Sequence, residues 1–264
     1  RAGRYEPKLG LTTDLTTAQV TALTSAQLAA LTTAQLAAME TADVAALSTA
    51  ALAGLSTAQI VALTTAQAAA LTSGQVSKLS TTQLAAMQTA DLAALSTAAV
   101  AGLTTAQIPA LTTGQVAALT TAQIAAMSAT GLDALSSTEV QGWSTTQLGA
   151  ITSQQLAGLT TTALADFSDT QLGQLSGTQV KGLTSTQLNN LASTQLNALN
   201  VTDLSVSQIR NMTATAIGTL SSTQAQALGS LQVAALSAGG LEALASTDVQ
   251  AWSTTQLGAI TSQQ

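Results

Sequence analysis

Residues 31–39 read LTTAQLAAM, and near-copies of this stretch fill almost the whole 264-residue chain. With Leu15 as position 1, octads run through residues 15–198 and again through residues 204–259, twenty-three and then seven of them, with a five-residue unit at 199–203 between the two runs. The consensus is L-[ST]-T-A-Q-[LIV]-A-A. A repeat this short predicts a solenoid, in which each unit is stabilised by stacking on its neighbours.

The polar positions of the octad indicate where a helix begins. Position 2 is Ser or Thr in twenty-five of the thirty octads, and position 5 is Gln, Glu or Asp in twenty-four. If position 2 is the N-cap, position 5 is the third helical residue, which is the spacing of a capping box. Positions 1 and 6 then form the apolar pair of a hydrophobic staple. We therefore predict an all-α solenoid with one short helix, of six or seven residues, in every octad.

Two other folds explain this pattern less well. In one uninterrupted α-helix, eight residues at about 100° each leave a remainder of about 80°, so the Leu rows would spiral around the axis and could not stay buried. A β-solenoid stays open as the alternative, although positions 1 and 6 have opposite parity and Ala, Leu and Gln are weak strand formers.

Departures from the consensus test the predicted caps. Glu40 and Gln88 replace the hydroxyl at position 2, and a Thr follows each of them, so we expect the cap to slide by one residue to Thr41 and Thr89. Acids at position 5 suit the first turn of a helix because the helix dipole favours negative charge there. Pro109, at position 7, lacks an N–H, so we expect its helix to end early.

The composition excludes several classes of function. The chain has no Cys and no His, so it lacks thiol and imidazole groups, and we predict no catalytic, cofactor or metal site. Six basic residues and a net charge of −6 argue against nucleic-acid binding. Every window of eighteen residues contains Thr, Ser or Gln, so no transmembrane segment is predicted. We expect a protein that is not an enzyme.

A few residues stand out as candidate sites, and each has a simpler structural explanation. Trp143 and Trp252 occupy position 1, where filling the core is favoured over stacking on a sugar. Asp166 and Asp169 flank Phe167 and could share a cation, but two carboxylates without further oxygen ligands are usually solvated.

The octads also define the organisation of the chain. Residues 1–14 lie outside them and are predicted to form an N-terminal arm or cap. The solenoid covers residues 15–198 and 204–264, and the unit at 199–203 is a phase slip. Because the sequence begins at Arg1 without an initiator Met and ends in mid-repeat, we expect a portion of a longer chain whose solenoid continues past Gln264.

The L-[ST]-T-A-Q-[LIV]-A-A octads resemble the Ala/Thr-rich repeat tracts of giant secreted or surface proteins of Gram-negative bacteria, the adhesin-like class. This resemblance covers nearly all of the chain. It implies an extracellular or cell-surface structural role and assigns no site residues.

Two functions follow from these observations. The first is a self-associating filament, stalk or surface-layer component, because a surface with so few charges lacks the repulsion that keeps proteins monomeric. The second is a multivalent binding surface, in which regular Thr rows recognise ice or a polysaccharide. The sequence favours the structural role.

Overall fold

The computed structural model describes residues 16–264, and these residues contain short helices and no β-strand. The predicted all-α solenoid is therefore confirmed for this part of the chain. The predicted arm at residues 1–14 lies outside the described residues. The chain is divided into two compact units, Arg1–Ala134 and Leu135–Gln264. None of the described helices has both the length and the apolar character needed to cross a membrane.

The first unit contains fourteen described α-helices and one 3₁₀ helix. The helices α1 to α11 are Thr17–Thr21, Ser25–Ala29, Thr33–Ala37, Thr41–Ala46, Thr49–Leu52, Thr57–Val61, Thr65–Ala70, Ser73–Val76, Thr81–Ala86, Thr89–Ala94 and Thr97–Ala101. The 3₁₀ helix Ile108–Ala110 follows, and α12 to α14 are Thr113–Ala117, Thr121–Ala126 and Ala129–Asp133.

The second unit contains fifteen α-helices and one 3₁₀ helix. The helices α15 to α22 are Ser137–Gln141, Thr145–Gly149, Ser153–Gly158, Thr161–Ala165, Asp169–Gly173, Gly177–Gly182, Ser185–Asn190 and Ser193–Ala198. After the 3₁₀ helix Val201–Asp203, α23 to α29 are Val206–Asn211, Ala214–Gly218, Ser222–Ala227, Ser230–Val233, Ala238–Ala243, Ser246–Gln250 and Thr254–Leu257.

Capping boxes start most of these helices at the predicted residue. In the octad quoted first, the Gln35 N–H donates to Thr32 Oγ1 at 3.2 Å, and the Thr32 N–H donates to Gln35 Oε1 at 2.9 Å. Two backbone N–H groups that a helix N-terminus leaves unpaired are thereby satisfied. The α-helices are four to six residues long, shorter than the predicted six or seven, because each octad must also supply an extended cap for the next helix.

The predicted sliding of the cap at Glu40 and Gln88 is wrong. Both residues keep the extended N-cap conformation, neither side chain makes a cap hydrogen bond, and the helices begin at Thr41 and Thr89 as first helical residues. A cap hydroxyl contributes only about 1 kcal/mol, whereas moving the helix by one residue would turn the apolar side chains out of the core. The apolar rows therefore fix where the helix starts.

The two apolar rows form the core. Position 6 residues such as Leu84 and Ile124 are fully buried, and position 1 residues such as Met87 and Met127 are 3–4% exposed. Isolated helices of this length are marginal in water, so burial of these rows between coils supplies the stability that the helices lack alone.

One coil of the solenoid takes about three and a half octads. Helix α6 packs against α3, while Gln59 in α6 donates to Leu28 and Leu31, which lie 31 and 28 residues earlier at the end of α2. Each helix is therefore staggered, and lies over the junction between the third and the fourth helix before it. The octad pattern alone does not predict this number.

The five-residue unit at 199–203 is a shortened octad. Leu199 and Val201 are buried and occupy the places of positions 1 and 6, and the Asn200 side chain accepts from the Thr202 N–H in the place of a cap. Only the middle of the octad is missing. The core rows thus pass through the phase slip without interruption.

Pro109 changes the type of helix in its octad. The 3₁₀ helix Ile108–Ala110 carries the proline in its first turn, where no N–H is required. The prediction that an α-helix would form here and end early is therefore wrong, because this octad contains a 3₁₀ helix and no α-helix. Ile108 remains 2% exposed, so the core row is kept.

Candidate functional site

The feature that recurs most regularly in the described residues is a glutamine that joins two coils. In α8, Gln75 Oε1 accepts from the Thr72 N–H at 2.8 Å and from Thr72 Oγ1 at 3.1 Å. Its Nε2 donates to the backbone carbonyls of Val44 at 2.8 Å and Leu47 at 2.9 Å, in the previous coil. We call this arrangement the glutamine bridge.

The same bridge recurs in both units. The distances from glutamine Nε2 to the carbonyl oxygens of position 6 and position 1 residues in the previous coil are 2.7–3.2 Å. In the first unit its glutamines are Gln59, Gln67, Gln75, Gln83, Gln107, Gln115 and Gln123. In the second unit, glutamines that donate to one or both of these carbonyls are Gln171, Gln179, Gln187, Gln195, Gln208, Gln224, Gln232, Gln256 and Gln264.

The bridge pairs with backbone groups at the start of one helix and at the end of another helix. Its oxygen pairs with an N–H that begins one helix, and its nitrogen pairs with carbonyls that end another helix, one coil away. The position 6 carbonyl already accepts from a backbone N–H, as the Val44 carbonyl does from the Leu47 N–H, whereas the position 1 carbonyl, such as that of Leu47, has the glutamine as its donor. Burying such a carbonyl unpaired costs about 1–3 kcal/mol. Each bridging glutamine therefore removes a penalty that a solenoid of such short helices would otherwise meet in each bridged octad.

The bridge explains why position 5 is Gln far more often than Glu. A capping box needs only an acceptor, and Glu139 supplies one, since its Oε2 accepts from the Ser136 N–H at 2.7 Å and from Ser136 Oγ at 2.8 Å. A carboxylate cannot donate to carbonyls. The excess of Gln over Glu in the sequence was therefore the signal for the bridge, although sequence analysis explained position 5 by capping alone.

Octads with an aspartate at position 5 lack the bridge. Asp91 is 3% exposed, its Oδ1 accepts from Thr65 Oγ1 at 2.8 Å, and its Oδ2 has no hydrogen-bond partner. Its N-cap, Gln88, uses its own Nε2 to donate to the Val61 carbonyl at 2.7 Å. This octad is held by other contacts, and one buried oxygen stays unpaired.

Two asparagines in the second unit form a variant of the bridge. Asn189 Oδ1 accepts from the Thr213 N–H at 2.9 Å, in an octad whose position 5 is Ala216. Asn197 Oδ1 accepts from the Ser221 N–H at 2.7 Å, and Gln224 Oε1 is left buried and unpaired. An amide from the neighbouring coil thus replaces the missing or displaced glutamine oxygen. Sequence analysis missed these residues.

The two tryptophans are part of the core. Trp143 is 6% exposed and Trp252 is 4% exposed. Trp252 Nε1 donates to the Ala225 carbonyl at 2.8 Å, whereas Trp143 Nε1 is buried without a partner. Neither ring presents a face on which a sugar could stack.

Asp166 and Asp169 take separate structural places. Asp166 is the C-cap of α18, and its carbonyl accepts from Gln141 Nε2 at 2.9 Å. Asp169 is the first residue of α19, and its Oδ1 accepts from Thr194 Oγ1 at 3.4 Å. Within residues 16–264, no three acidic side chains cluster in a way that could hold a metal ion.

A shallow depression of about 390 Å³ lies in the second unit. It is lined by Arg210, Ser237, Thr261, Gln263 and Gln264, together with Leu236 and alanines. A guanidinium, hydroxyls and amides meet there, but the lining residues include no carboxylate, imidazole or thiol that could act as a general base. Among the described residues, the regular polar feature is therefore the glutamine bridge and not this depression.

Two segments of the chain, residues 36–73 and 84–121, match the model of a family described as the ALTTAQ repeat. Both lie in the first unit and together cover less than half of the chain. The chain thus contains repeats similar to that family, which favours a structural scaffold over an enzyme. Comparison with curated proteins gives no match.

Among solved structures, the chain is similar to the leucine-rich repeat-containing protein LegL7 from Legionella pneumophila. The identity is 12%, the match covers 82% of this chain and 78% of that chain, and the TM-score is 0.19. This score is too low to indicate a shared fold, so LegL7 does not inform the function of this chain.

Proposed function

We propose that this chain is a non-enzymatic structural repeat protein that works outside the cell or at its surface, as a self-associating filament, stalk or surface-layer component. The observation that carries the proposal is the glutamine bridge. Because the same interface recurs from coil to coil, a solenoid of this kind is lengthened by adding octads without any new contact being needed. Length with a constant cross-section is what a stalk or filament requires.

The outer surface supports self-association. Positions 2, 3 and 4 of the octads are mostly exposed and carry Thr, Ser, Ala or Gly, and the described residues contain only three basic side chains, Lys78, Lys181 and Arg210. Four of the acids, Asp43, Asp91, Glu139 and Asp248, are buried and add little to surface repulsion. A surface with so little charge favours association between copies, and a repeated head-to-tail contact makes an open fibre.

Negative-stain microscopy and light scattering over a range of protein concentrations test this proposal. We expect particle mass to rise with concentration and elongated assemblies to appear. A variant with Thr81→Lys and Thr121→Lys adds charge at exposed first residues of two helices, and we expect it to stay dispersed. The matched variant with Thr81→Ser and Thr121→Ser should assemble as the parent does. A parent chain that remains monomeric at high concentration would refute the proposal.

The location of the protein needs its own test. Antibody labelling and protease digestion of intact source cells should reach the protein if it is at the surface, and culture medium should contain it if it is secreted. Protection in intact cells, with digestion only after lysis, would exclude the extracellular role while leaving the assembly result unaffected.

A multivalent binding surface for ice or a polysaccharide is the second candidate, favoured by the exposed hydroxyls at position 3. Hydroxyls at position 2 are already engaged, since Thr72 Oγ1 donates to Gln75 Oε1 and accepts from its N–H. Position 3 residues such as Thr81 and Thr121 are exposed. Thermal hysteresis and glycan pull-down would detect such binding, and a null result in both would exclude it.

A further inference from the structure

Within residues 16–264, the hydrogen bonds between coils are made by side chains. The backbone–backbone hydrogen bonds outside the helices join partners three or four positions apart, such as the Leu63 N–H and the Ile60 carbonyl. Hydrogen bonds between coils come from side chains, above all from glutamine Nε2, as in the bonds of Gln67 to Leu36 and Met39. A sheet joins its strands backbone to backbone, whereas these coils are joined by a row of separate side-chain bridges.

The bridges connect only neighbouring coils. Their span is 28–31 residues in regular octads, as for Gln83, and 25–28 residues across the shortened unit, as for Gln208. Removing the outermost coil therefore breaks one set of bridges and one layer of apolar contacts, and leaves the interface beneath it unchanged. Stability in such an array is close to a sum of equal nearest-neighbour contributions.

We propose that each unit is an extensible element that unfolds one coil at a time under tension along its length, and refolds coil by coil when the tension is released. A coil of 28 residues has a stretched length of about 100 Å at about 3.5 Å per residue. It occupies about 10 Å when packed, the usual distance between helices in contact. Each step therefore adds about 90 Å, and the load on any anchored end is limited by the force of one coil.

Pulling single molecules of the 264-residue chain from both ends in an optical trap tests this proposal. The expected record is a series of extension steps of about 90 Å, which reverse when the force is lowered. Extension in one or two events that each release a whole unit, a net gain of about 400 Å for 130 residues, would overturn it. Because one molecule is pulled at a time, the result is independent of self-association and of the function proposed above.

The variant Gln75→Glu tests whether the bridge sets the force of a step. A glutamate keeps the capping box, as Glu139 does, but places an acceptor opposite the carbonyls of Val44 and Leu47. We expect one step in the record to occur at clearly lower force, with the others unchanged.

The control is Gln27→Glu, because Gln27 has the same Thr cap and is exposed. Its Oε1 accepts from the Thr24 N–H at 2.9 Å, and its Nε2 meets no carbonyl among the described residues. The control should leave every step at the force of the parent. Equal effects of the two variants, or no effect of either, would show that the bridges do not hold the coils together and would overturn the proposal.

Discussion

A comparison of two octads in the first unit, one with a bridging glutamine and one without, shows what the glutamine contributes. In the octad of Thr72 and Gln75, the cap hydroxyl, the capping box and the bridge are all present. In the octad of Gln88 and Asp91, there is no cap hydroxyl and no bridge, yet α10 forms with six residues and Leu92 is fully buried. The helix therefore does not depend on its cap or on the bridge.

This comparison separates two tasks that the sequence combines in one repeat. Burial of the apolar rows is sufficient to form each short helix, because it persists where the polar signals are missing. The glutamine mainly satisfies buried backbone groups between coils. Changes at position 5 should therefore alter the stability of the stack much more than they alter the helical content of single octads.

The largest effect is expected from Gln123→Glu. Gln123 is 1% exposed and donates to the carbonyls of Leu92 and Leu95, both at 2.9 Å. A buried carboxylate there would face two acceptors, and we expect a loss of about 3 kcal/mol in the free energy of unfolding, measured with urea. Gln27→Glu, at an exposed glutamine with the same Thr cap and no bond to another coil among residues 16–264, should cost less than about 0.5 kcal/mol. Equal losses at the two positions would contradict the role of the bridge.

A smaller loss is expected from filling the space between coils. An added Cβ at Gly182, the last residue of α20, would lie 2.6 Å from the Ser153 backbone oxygen, so Gly182→Ala should cost about 2 kcal/mol. Gly149 also ends its helix but has nothing within 4 Å, so Gly149→Ala should be neutral or stabilising by up to about 0.5 kcal/mol. Thermal unfolding of both variants would measure the contrast, and a stabilising Gly182→Ala would mean that the coils are less closely packed than described.

Asp91→Gln should convert the acid octad into a bridged one. The Nε2 of the introduced glutamine would reach toward the carbonyls of Ile60 and Leu63, the residues 31 and 28 positions earlier. The unpaired Oδ2 of the aspartate would be removed. We expect a gain of about 1–2 kcal/mol, seen as a higher urea midpoint. Asp91→Asn is the control, because its side chain is one methylene too short to form the bridge. If both variants are equally stable, the gain comes from removing the charge.

The smallest effect is expected at the caps. Thr72→Ala removes a hydroxyl that accepts from the Gln75 N–H at 3.2 Å, which should cost about 1 kcal/mol. Gln88→Ala removes no cap hydrogen bond, and the bond that it loses is the one from Gln88 Nε2 to the Val61 carbonyl in another coil, so the first turn of α10 should be less affected than that of α8. Hydrogen exchange of the first-turn amides in α8 and α10 would report the difference locally. Faster exchange in α10 than in α8 after these substitutions would reverse the expected order.

Much of the local structure was predictable from the octad. The spacing of the hydroxyl, the glutamine and the two apolar positions placed the helix starts and the core rows, because all of these contacts lie within eight residues. The predicted sliding of the cap at Gln88 is wrong because the burial of Leu92 outweighs the local preference for a hydroxyl at the N-cap. Asn189 and Asn197 could not be found, because their partners are in another coil and no repeated pattern marks them.

Capping and staple contacts lie within one octad, so the octad pattern is enough to predict that a short helix begins in each repeat and which side chains are buried. The packing of helices between coils, in contrast, sets the coil at about three and a half octads, and therefore sets which carbonyls each glutamine nitrogen meets 28 and 31 residues away. The number of octads in a coil depends on how helices of neighbouring coils pack. The angle between successive helices is set by side-chain contacts between coils and not by spacing along the chain. The donor was visible in the sequence, but its acceptors were fixed only when the chain had coiled.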